Sequence, residues 1–171
     1  MDDLPDAPSA PTGALPGDDG RIDAVPGCER RLVLRILEHW RAARGARRAP
    51  TLDDLALDHA PELWENAFLL AVREDGGMVF TAVGEVFQSY SPVRLVGVAL
   101  AELPPDSLVA HFASFAGEVL ARVVPITCGG QIPATGEPVV LYRSIVLPVA
   151  DADGRISALL GAANWREVVS R

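Results

Sequence analysis

Two apolar stretches that flank a short polar turn near the C-terminus constrain the fold of this chain most strongly. Residues 139–149 carry the strongest strand pattern in the sequence, and residues 156–165 form a second apolar stretch. Asp151, Asp153 and Gly154 lie between them, and Asp and Gly favour tight turns. The pattern therefore predicts two antiparallel strands joined by a short turn.

Three more strands and a helix are predicted upstream of this hairpin. Residues 68–75 and 78–83 flank Gly76 and Gly77, which predicts a second hairpin, and residues 124–132 predict a further strand. Residues 107–123 have helical periodicity, with Ser107 as the N-cap. The apolar stripe of this helix consists of Leu108, Phe112, Phe115, Val119 and Val123. The element order predicts an α+β domain over residues 51–171, with an antiparallel sheet and one long helix against it.

The N-terminal fifty residues divide into two segments of opposite charge. Residues 1–27 contain five Pro, four Gly and six Asp against one Arg, and this composition predicts a disordered acidic tail. Residues 28–50 contain seven Arg and two Glu, and residues 29–44 within them predict an amphipathic basic helix. Its apolar face consists of Leu32, Val33, Ile36, Leu37, Trp40 and Ala43. We expect this face either to dock on the domain or to form a homodimer.

Composition excludes several classes of function. The formal net charge of −8 and the pI of about 4.8 argue against a nucleic-acid binder. The chain has no Lys, which excludes a Walker A phosphate loop and Schiff-base chemistry. No apolar run approaches the roughly 20 residues that span a bilayer, and the acidic start is unlike a secretory signal. We therefore predict a cytoplasmic protein without a membrane span.

Four segments resemble the PAS domain family. They are residues 34–55, with a Trp-bearing helix before an Arg/Gly stretch and an acidic turn; residues 68–87, around the strand pair; residues 94–103; and residues 140–167. The last segment contains, in order, Leu-Tyr-Arg, a Leu-Pro step, an Asp-Gly turn and Leu-Leu-Gly. The chain is most similar to bacterial proteins that consist of little more than one PAS domain behind an N-terminal helix.

The resemblance implies a five-stranded antiparallel sheet with helices on one face and a small-molecule pocket between them. It further implies a non-enzymatic sensory, signalling or adaptor protein that dimerises through its N-terminal helix. Because no kinase, cyclase or helix-turn-helix segment follows the domain, we expect the signal to pass to a separate partner protein.

A pocket in such a domain should be apolar with a few polar anchors. The candidates to orient a ligand are Tyr142, Ser144 and Asn164, and the candidate walls are Phe80, Phe112 and Phe115. Alternatively, these aromatic side chains simply fill the core. The pattern leaves open which face of the strand at residues 139–149 looks inward.

The sequence identifies no cofactor. The Gly-x-Asn-Cys-Arg-Phe-Leu-Gln string of flavin-binding light-oxygen-voltage domains is absent; Cys28 lies near the tail and Cys128 on a predicted strand. His111 lies at the edge of its helical stripe, which argues against a haem ligand, and no His pair has metal-ligand spacing.

Two other classes of function remain open. One is a small cone-shaped isomerase or hydratase, for which Tyr90 and Asp106 are the only suggestive pair. The other is an interaction module without a pocket.

Overall fold

The computed structural model describes residues 31–132 and 139–168, and it contains six α-helices and five strands within those ranges. The helices are α1 (Arg31–Arg44), α2 (Leu52–Leu55), α3 (Pro61–Trp64), α4 (Glu85–Gln88), α5 (Leu108–Phe112) and α6 (Ala116–Arg122). The strands are β1 (Ala67–Val72), β2 (Met78–Val83), β3 (Ile126–Ile132), β4 (Val139–Ala150) and β5 (Ile156–Val168). The predicted tail, residues 1–27, and Cys28 lie outside the described residues.

All five strands form one antiparallel sheet in the order β2-β1-β5-β4-β3. Both predicted hairpins are present, and the fold class predicted from the sequence is confirmed. In the β1–β2 turn, Gly76 adopts a φ of 82°, and the Asp75 carboxylate accepts a hydrogen bond from Gly77 N at 2.8 Å. In the β4–β5 turn, the Asp151 carboxylate accepts hydrogen bonds from Asp153 N and Arg155 N.

The two faces of the sheet bury separate cores. We call the face that packs against α4, α5 and α6 the inner face, and the face that packs against α1 the outer face. Along β4, Tyr142 and Val146 belong to the inner core, whereas Ile145, Leu147 and Val149 belong to the outer core. Successive side chains of a strand point to opposite faces. This settles the orientation that the sequence pattern leaves open: Tyr142 and Ser144 look inward.

Helix α1 lies across the outer face of the sheet. Its apolar stripe packs on the outer side of β4 and β5, and Trp40, which is 1% exposed, donates its indole N–H to Pro148 O at 2.8 Å. The Arg44 guanidinium stacks 5.1 Å from the centre of the Trp40 ring, which covers the indole from the solvent side. The basic face of α1 remains exposed, and Arg35 on it pairs with Glu62 of α3.

An ion pair and a helix cap, both formed by Asp54, hold the segment after α1 in place. Arg47 contacts the Asp54 carboxylate at 2.8 Å, and Thr51 forms a capping box with Asp54 at the start of α2. The hydrogen bond from Arg47 and those from Thr51 hold the pKa of Asp54 well below its usual range.

Most of the sheet edges are covered. Strand β4 extends past β3, whose last partner on it is Val146; beyond that point Ala150 N donates to Pro50 O at 2.8 Å. Pro148, which has no N–H, also lies on this part of β4, where Trp40 binds its carbonyl. At the opposite edge, Phe80 N donates to Val98 O and Phe80 O accepts from Gly97 N, so a loop covers β2.

Backbone hydrogen bonds join the start of α4 to the chain between α3 and β1, and we call this junction the corner at Gly84. Phe87 N in α4 donates to Glu65 O at 3.0 Å, and Gly84 N donates to Ala67 O at 2.8 Å. A Cβ on Gly84 would overlap the carbonyl oxygen of Trp64 at the end of α3, so only glycine fits there. The start of α4 is thus locked onto the junction between α3 and β1.

The predicted single helix over residues 107–123 is wrong in its continuity. The chain forms α5 and α6, and Ala113 and Phe115 between them have φ near −100° with ψ near 0° rather than helical angles. The Ser114 hydroxyl donates to His111 O at 2.8 Å, which competes with the backbone hydrogen bonds of a continuous helix. The predicted N-cap is present, because the Ser107 hydroxyl accepts from Ala110 N.

Replacing Trp40 should loosen α1 from the sheet. We expect Trp40→Ala to lower the free energy of unfolding by about 3–5 kcal/mol, because it leaves a large cavity. Trp40→Phe keeps most of the volume but leaves the Pro148 carbonyl without its hydrogen-bond donor. We expect it to lower the free energy of unfolding by about 1–3 kcal/mol. Leu34→Ala, on the exposed side of α1, serves as the control. Urea unfolding measures all three, and equal values for Trp40→Ala and Leu34→Ala would contradict the docking.

Gly161 should tolerate no side chain. A Cβ there would overlap the far end of the Phe68 ring, so we expect Gly161→Ala to destabilise the fold by about 1–3 kcal/mol. Gly117 in α6 has open space around the same position, and Gly117→Ala should stabilise by about 0.5–1 kcal/mol. Thermal melting of both variants checks the contrast; a Gly161→Ala variant as stable as the unmodified chain would contradict it.

Candidate functional site

A continuous network of aromatic rings fills the inner face. Phe68 of β1 contacts Phe80 of β2 and Phe87 of α4 at centroid distances of 5.5 and 4.5 Å. From Phe87 the network continues to Phe112 of α5 at 6.0 Å, and Phe112 contacts Tyr142 of β4 at 5.4 Å. The network therefore links two helices to three strands, so a change at any ring is felt by both layers.

Tyr90 and Trp165 form a polar end of this network. Tyr90, which follows α4, packs edge-on against both Phe112 and the Trp165 indole of β5, at 5.7 and 5.5 Å. The Tyr90 hydroxyl donates to the Asn66 side-chain oxygen at 3.2 Å. The Trp165 indole nitrogen is buried and has no hydrogen-bond acceptor among the described residues. A buried donor without an acceptor is uncommon and costly.

A second polar pair lies on the β3–β4 side. The Tyr142 hydroxyl and the Cys128 thiol are 3.5 Å apart, and Tyr142 covers Gly130, its cross-strand neighbour. Burial, together with the hydrogen bond to Cys128, raises the pKa of Tyr142 well above its usual value. Tyr142 is therefore a neutral phenol at physiological pH.

His111 lies close to this pair. Its ring stands edge-on to Tyr142 with the centroids 6.4 Å apart, and its Nδ1 is 2.9 Å from Ser107 O. A hydrogen bond to the preceding turn of its own helix fixes the orientation of the ring. The predicted edge position of His111 agrees with its half-buried state.

The structure brings together four of the six predicted ligand-binding residues. Phe80, Phe112 and Tyr142 belong to the aromatic network, and Ser144, which is 1% exposed, lies on the same face between Cys128 and Ala163. Phe115 does not join them. It is the N-cap residue of α6, half-buried and outside the inner core, because the break after α5 turns it away from the stripe.

Asn164 is separated from the other candidates. It pairs with Arg143, whereas its chain neighbours Ala163 and Trp165 belong to the inner core, so its side chain is on the outer face. The structure therefore places Asn164, a candidate to orient a ligand, on the opposite face of the sheet from Tyr142. The reason is a bulge: the register shifts between Val149 and Ala150, and one extra residue in β5 moves every later side chain to the other face.

The residues predicted for dimerisation or docking are buried in their own chain. They are Leu32, Val33, Ile36, Leu37 and Trp40, and all are at most 9% exposed. Leu32 packs with Ala60 and Leu63, and the other four pack in the outer core. This placement matches docking. A dimer through the same stripe stays a prediction, and it would require α1 to leave the sheet.

Sequence reasoning missed three contributors to the inner face: Phe68, Phe87 and the indole of Trp165. The first two follow or precede turns, where a periodicity count has too few residues to assign a face. Trp165 lies directly opposite Tyr142, and this pairing depends on the register shift in the β4–β5 hairpin, which no pattern in the sequence reveals.

The residues considered for catalysis or metal binding lie in different parts of the structure. They contain no group of three or more His, Cys, Asp or Glu side chains placed to hold a metal ion. Asp106 is exposed in the turn before α5, whereas Tyr90 packs in the inner core. Cys128 lies on β3 beside Tyr142 rather than on a helix. Within the described ranges, no helix has the length and apolar character needed to cross a membrane.

An antiparallel five-stranded sheet, with short helices packed over an aromatic inner face, is the architecture of a small sensory domain. The model of the PAS domain family matches residues 29–164, a range that includes α1. The chain therefore belongs to the PAS domain family, and membership supports a role as a sensory signalling domain. A search of curated proteins found no match.

Solved structures with a similar fold include three PAS or sensor proteins of bacteria. A sensory box sensor histidine kinase from Vibrio cholerae is 19% identical, with 68% of this chain and 94% of that chain covered and a TM-score of 0.45. The PAS domain of BvgS from Bordetella pertussis is 13% identical. The match covers 67% of this chain and 87% of that chain, with a TM-score of 0.40. A PAS domain from Colwellia psychrerythraea is 12% identical. The match covers 67% of this chain and 98% of that chain, with a TM-score of 0.41.

The raised pKa of Tyr142 should couple stability to alkaline pH. Because the folded protein disfavours the phenolate, the contribution of Tyr142 is complete below the ordinary Tyr pKa of about 10 and is lost as the pH rises beyond it. Tyr142→Phe cannot ionise, so it should lose less stability than the unmodified chain between about pH 8 and about pH 11. Urea unfolding at the two pH values tests this, and parallel losses in both proteins would contradict it.

Proposed function

We propose that this chain is a non-enzymatic sensory or adaptor protein that binds a small, largely apolar ligand on the inner face of its sheet. Binding would alter how α4 and α5 pack on the sheet, and a separate protein, in the cytoplasm, would read that state. The observation that carries the proposal is the buried Trp165 indole nitrogen, which has no acceptor among the described residues, at the end of an aromatic network.

The chemistry of the inner face defines the class of ligand. Rings such as Phe112 and Tyr142 favour a flat apolar body, since offset and edge-on packing stabilises aromatic groups beyond simple burial. The Trp165 N–H requires an acceptor, such as a carbonyl or ether oxygen. We therefore infer a neutral aromatic or unsaturated molecule with one oxygen acceptor.

The break between α5 and α6 supports a mechanism by population shift. Phe112 is the last residue of α5 and is followed by the non-helical residues 113–115. The helix is therefore interrupted directly beside the ring that contacts the aromatic network. A ligand that binds better to one placement of α5 increases the population of that placement. The partner protein would distinguish the two placements by the exposed surface of α5 and α6.

A module without a pocket is the second candidate. Phe68, Phe80, Phe87 and Phe112 are each 0% exposed, so four large rings already occupy the inner face. In that case the domain would act through its surface alone. The two candidates differ in whether anything binds between the helices and the sheet.

Native mass spectrometry of the freshly purified full chain separates the candidates. We expect a non-covalent small-molecule adduct that denaturation releases, and a loss of about fivefold in its affinity in Trp165→Phe, which removes a single hydrogen bond. Trp64→Phe, which alters an indole packed on the outer core, is the matched control and should keep the adduct. A bare mass in several preparations would overturn the ligand proposal.

The stability of the ligand-free chain gives a second readout. If the indole nitrogen has no partner in the empty protein, Trp165→Phe removes an unsatisfied buried donor and should not lower the melting temperature. A large loss of stability in that variant, without any change in adduct, would show that the indole has only a packing role.

A further inference from the structure

The outer edge of β3 differs from the other edges of the sheet because no described residue forms a backbone hydrogen bond with it. The edge of β2 is bonded to the loop at Gly97 and Val98, and the extension of β4 is bonded by Trp40 and Pro50. Across the described ranges, no backbone hydrogen bond reaches β3 from the side away from β4. An uncovered strand edge is a template for another strand, and proteins normally protect such edges.

The sequence of β3 contains none of the usual protective features. Its seven residues, Ile-Thr-Cys-Gly-Gly-Gln-Ile, include no charged side chain and no Pro, and its pairing with β4 shows no register shift. Lys, Pro and bulges are the features that keep natural edges apart. As far as residues 31–132 and 139–168 are concerned, the edge is therefore open both in geometry and in chemistry.

The side chains of β3 are complementary to a second copy of themselves. An antiparallel pair with a two-fold axis at Gly129 places Ile126 opposite Ile132, Thr127 opposite Gln131, and Cys128 opposite Gly130. On the inner face this register matches apolar with apolar and a small side chain with glycine. On the outer face it matches one polar side chain with another, and Gly129 faces Gly129 at the axis.

We propose that β3 is a self-association surface on which a second copy of this chain adds its own β3, so that two sheets join into one of ten strands. Main-chain hydrogen bonds provide the attraction, and the side-chain match sets the register. The surface is separate from the apolar stripe of α1, which is buried within its own chain. It is also independent of whether a ligand binds the inner face.

Charge substitutions at Thr127 and Gln131 test both the surface and the register. Thr127→Lys with Gln131→Lys creates two like-charge pairs across the axis, whereas Thr127→Lys with Gln131→Glu creates two opposite-charge pairs. Within one chain the two positions are about 13 Å apart, beyond the Debye length of about 8 Å at physiological salt, so their mutual effect in the monomer is small. The two variants therefore differ mainly in how copies meet.

Sedimentation velocity over a range of protein concentrations measures the outcome. We expect the unmodified chain to dimerise reversibly, the like-charge variant to dissociate about tenfold more readily, and the opposite-charge variant to stay dimeric. The like-charge variant changes the formal charge from −8 to −6, which reduces general repulsion between copies and works against the expected loss. A monomeric unmodified chain, or equal dimerisation of both variants, would overturn the proposal.

A cysteine at the axis gives a direct test. In a chain with Cys28→Ser and Cys128→Ser, Gly129→Cys would face its own copy at a Cα separation of about 4.5–5.5 Å, which a disulfide spans. We expect rapid covalent dimer formation under mild oxidation. Thr81→Cys in the same background, exposed on β2 at the opposite edge, is the control and should form no covalent dimer. Equal cross-linking of the two variants would show random collision and contradict the register.

Discussion

Strand β4 must be covered on both of its faces, and the architecture follows from that requirement. Every residue from Val140 to Ala150 is buried, including the side chains that alternate between the two faces. Burial of apolar surface is worth roughly 25 cal/mol per Å², so an uncovered face would cost the fold a large part of its small net stability. Helices α4 to α6 cover one face. Helix α1 covers the other, which explains why the family match begins ahead of the sheet.

Much of this arrangement is readable from the sequence because it depends on short-range patterns. Both hairpins are marked by Asp and Gly turns, and the apolar stripe of α1 is plain at helical spacing. The side of the sheet on which α1 lies is not readable, because β4 is apolar on both faces. The break after α5 also escapes prediction, since the Ser114 hydrogen bond to His111 competes with helix geometry only after the chain has folded.

The candidate site shows the same division between local and long-range information. Of the candidate ligand residues, Tyr142, Ser144, Phe80 and Phe112 lie on the inner face, whereas Asn164 lies on the outer face. If the two strands paired regularly from the β4–β5 turn onward, Asn164 would lie opposite Tyr142. The bulge near Ser157 shifts the pairing by one residue, so that Asn164 lies opposite Arg143 instead. One inserted residue thus decides which polar side chains can meet, and no composition or periodicity argument detects it.

The corner at Gly84 has a consequence for how the two layers of helices communicate. Phe87, a ring of the inner core, donates its backbone N–H to Glu65, which directly follows α3 in the layer that contacts α1. A displacement of that ring therefore pulls on main chain outside the sheet, around its rim instead of through its strands. The rim of the sheet thus connects the inner core to the layer that contains α3 and α1, and this connection does not pass through the strands.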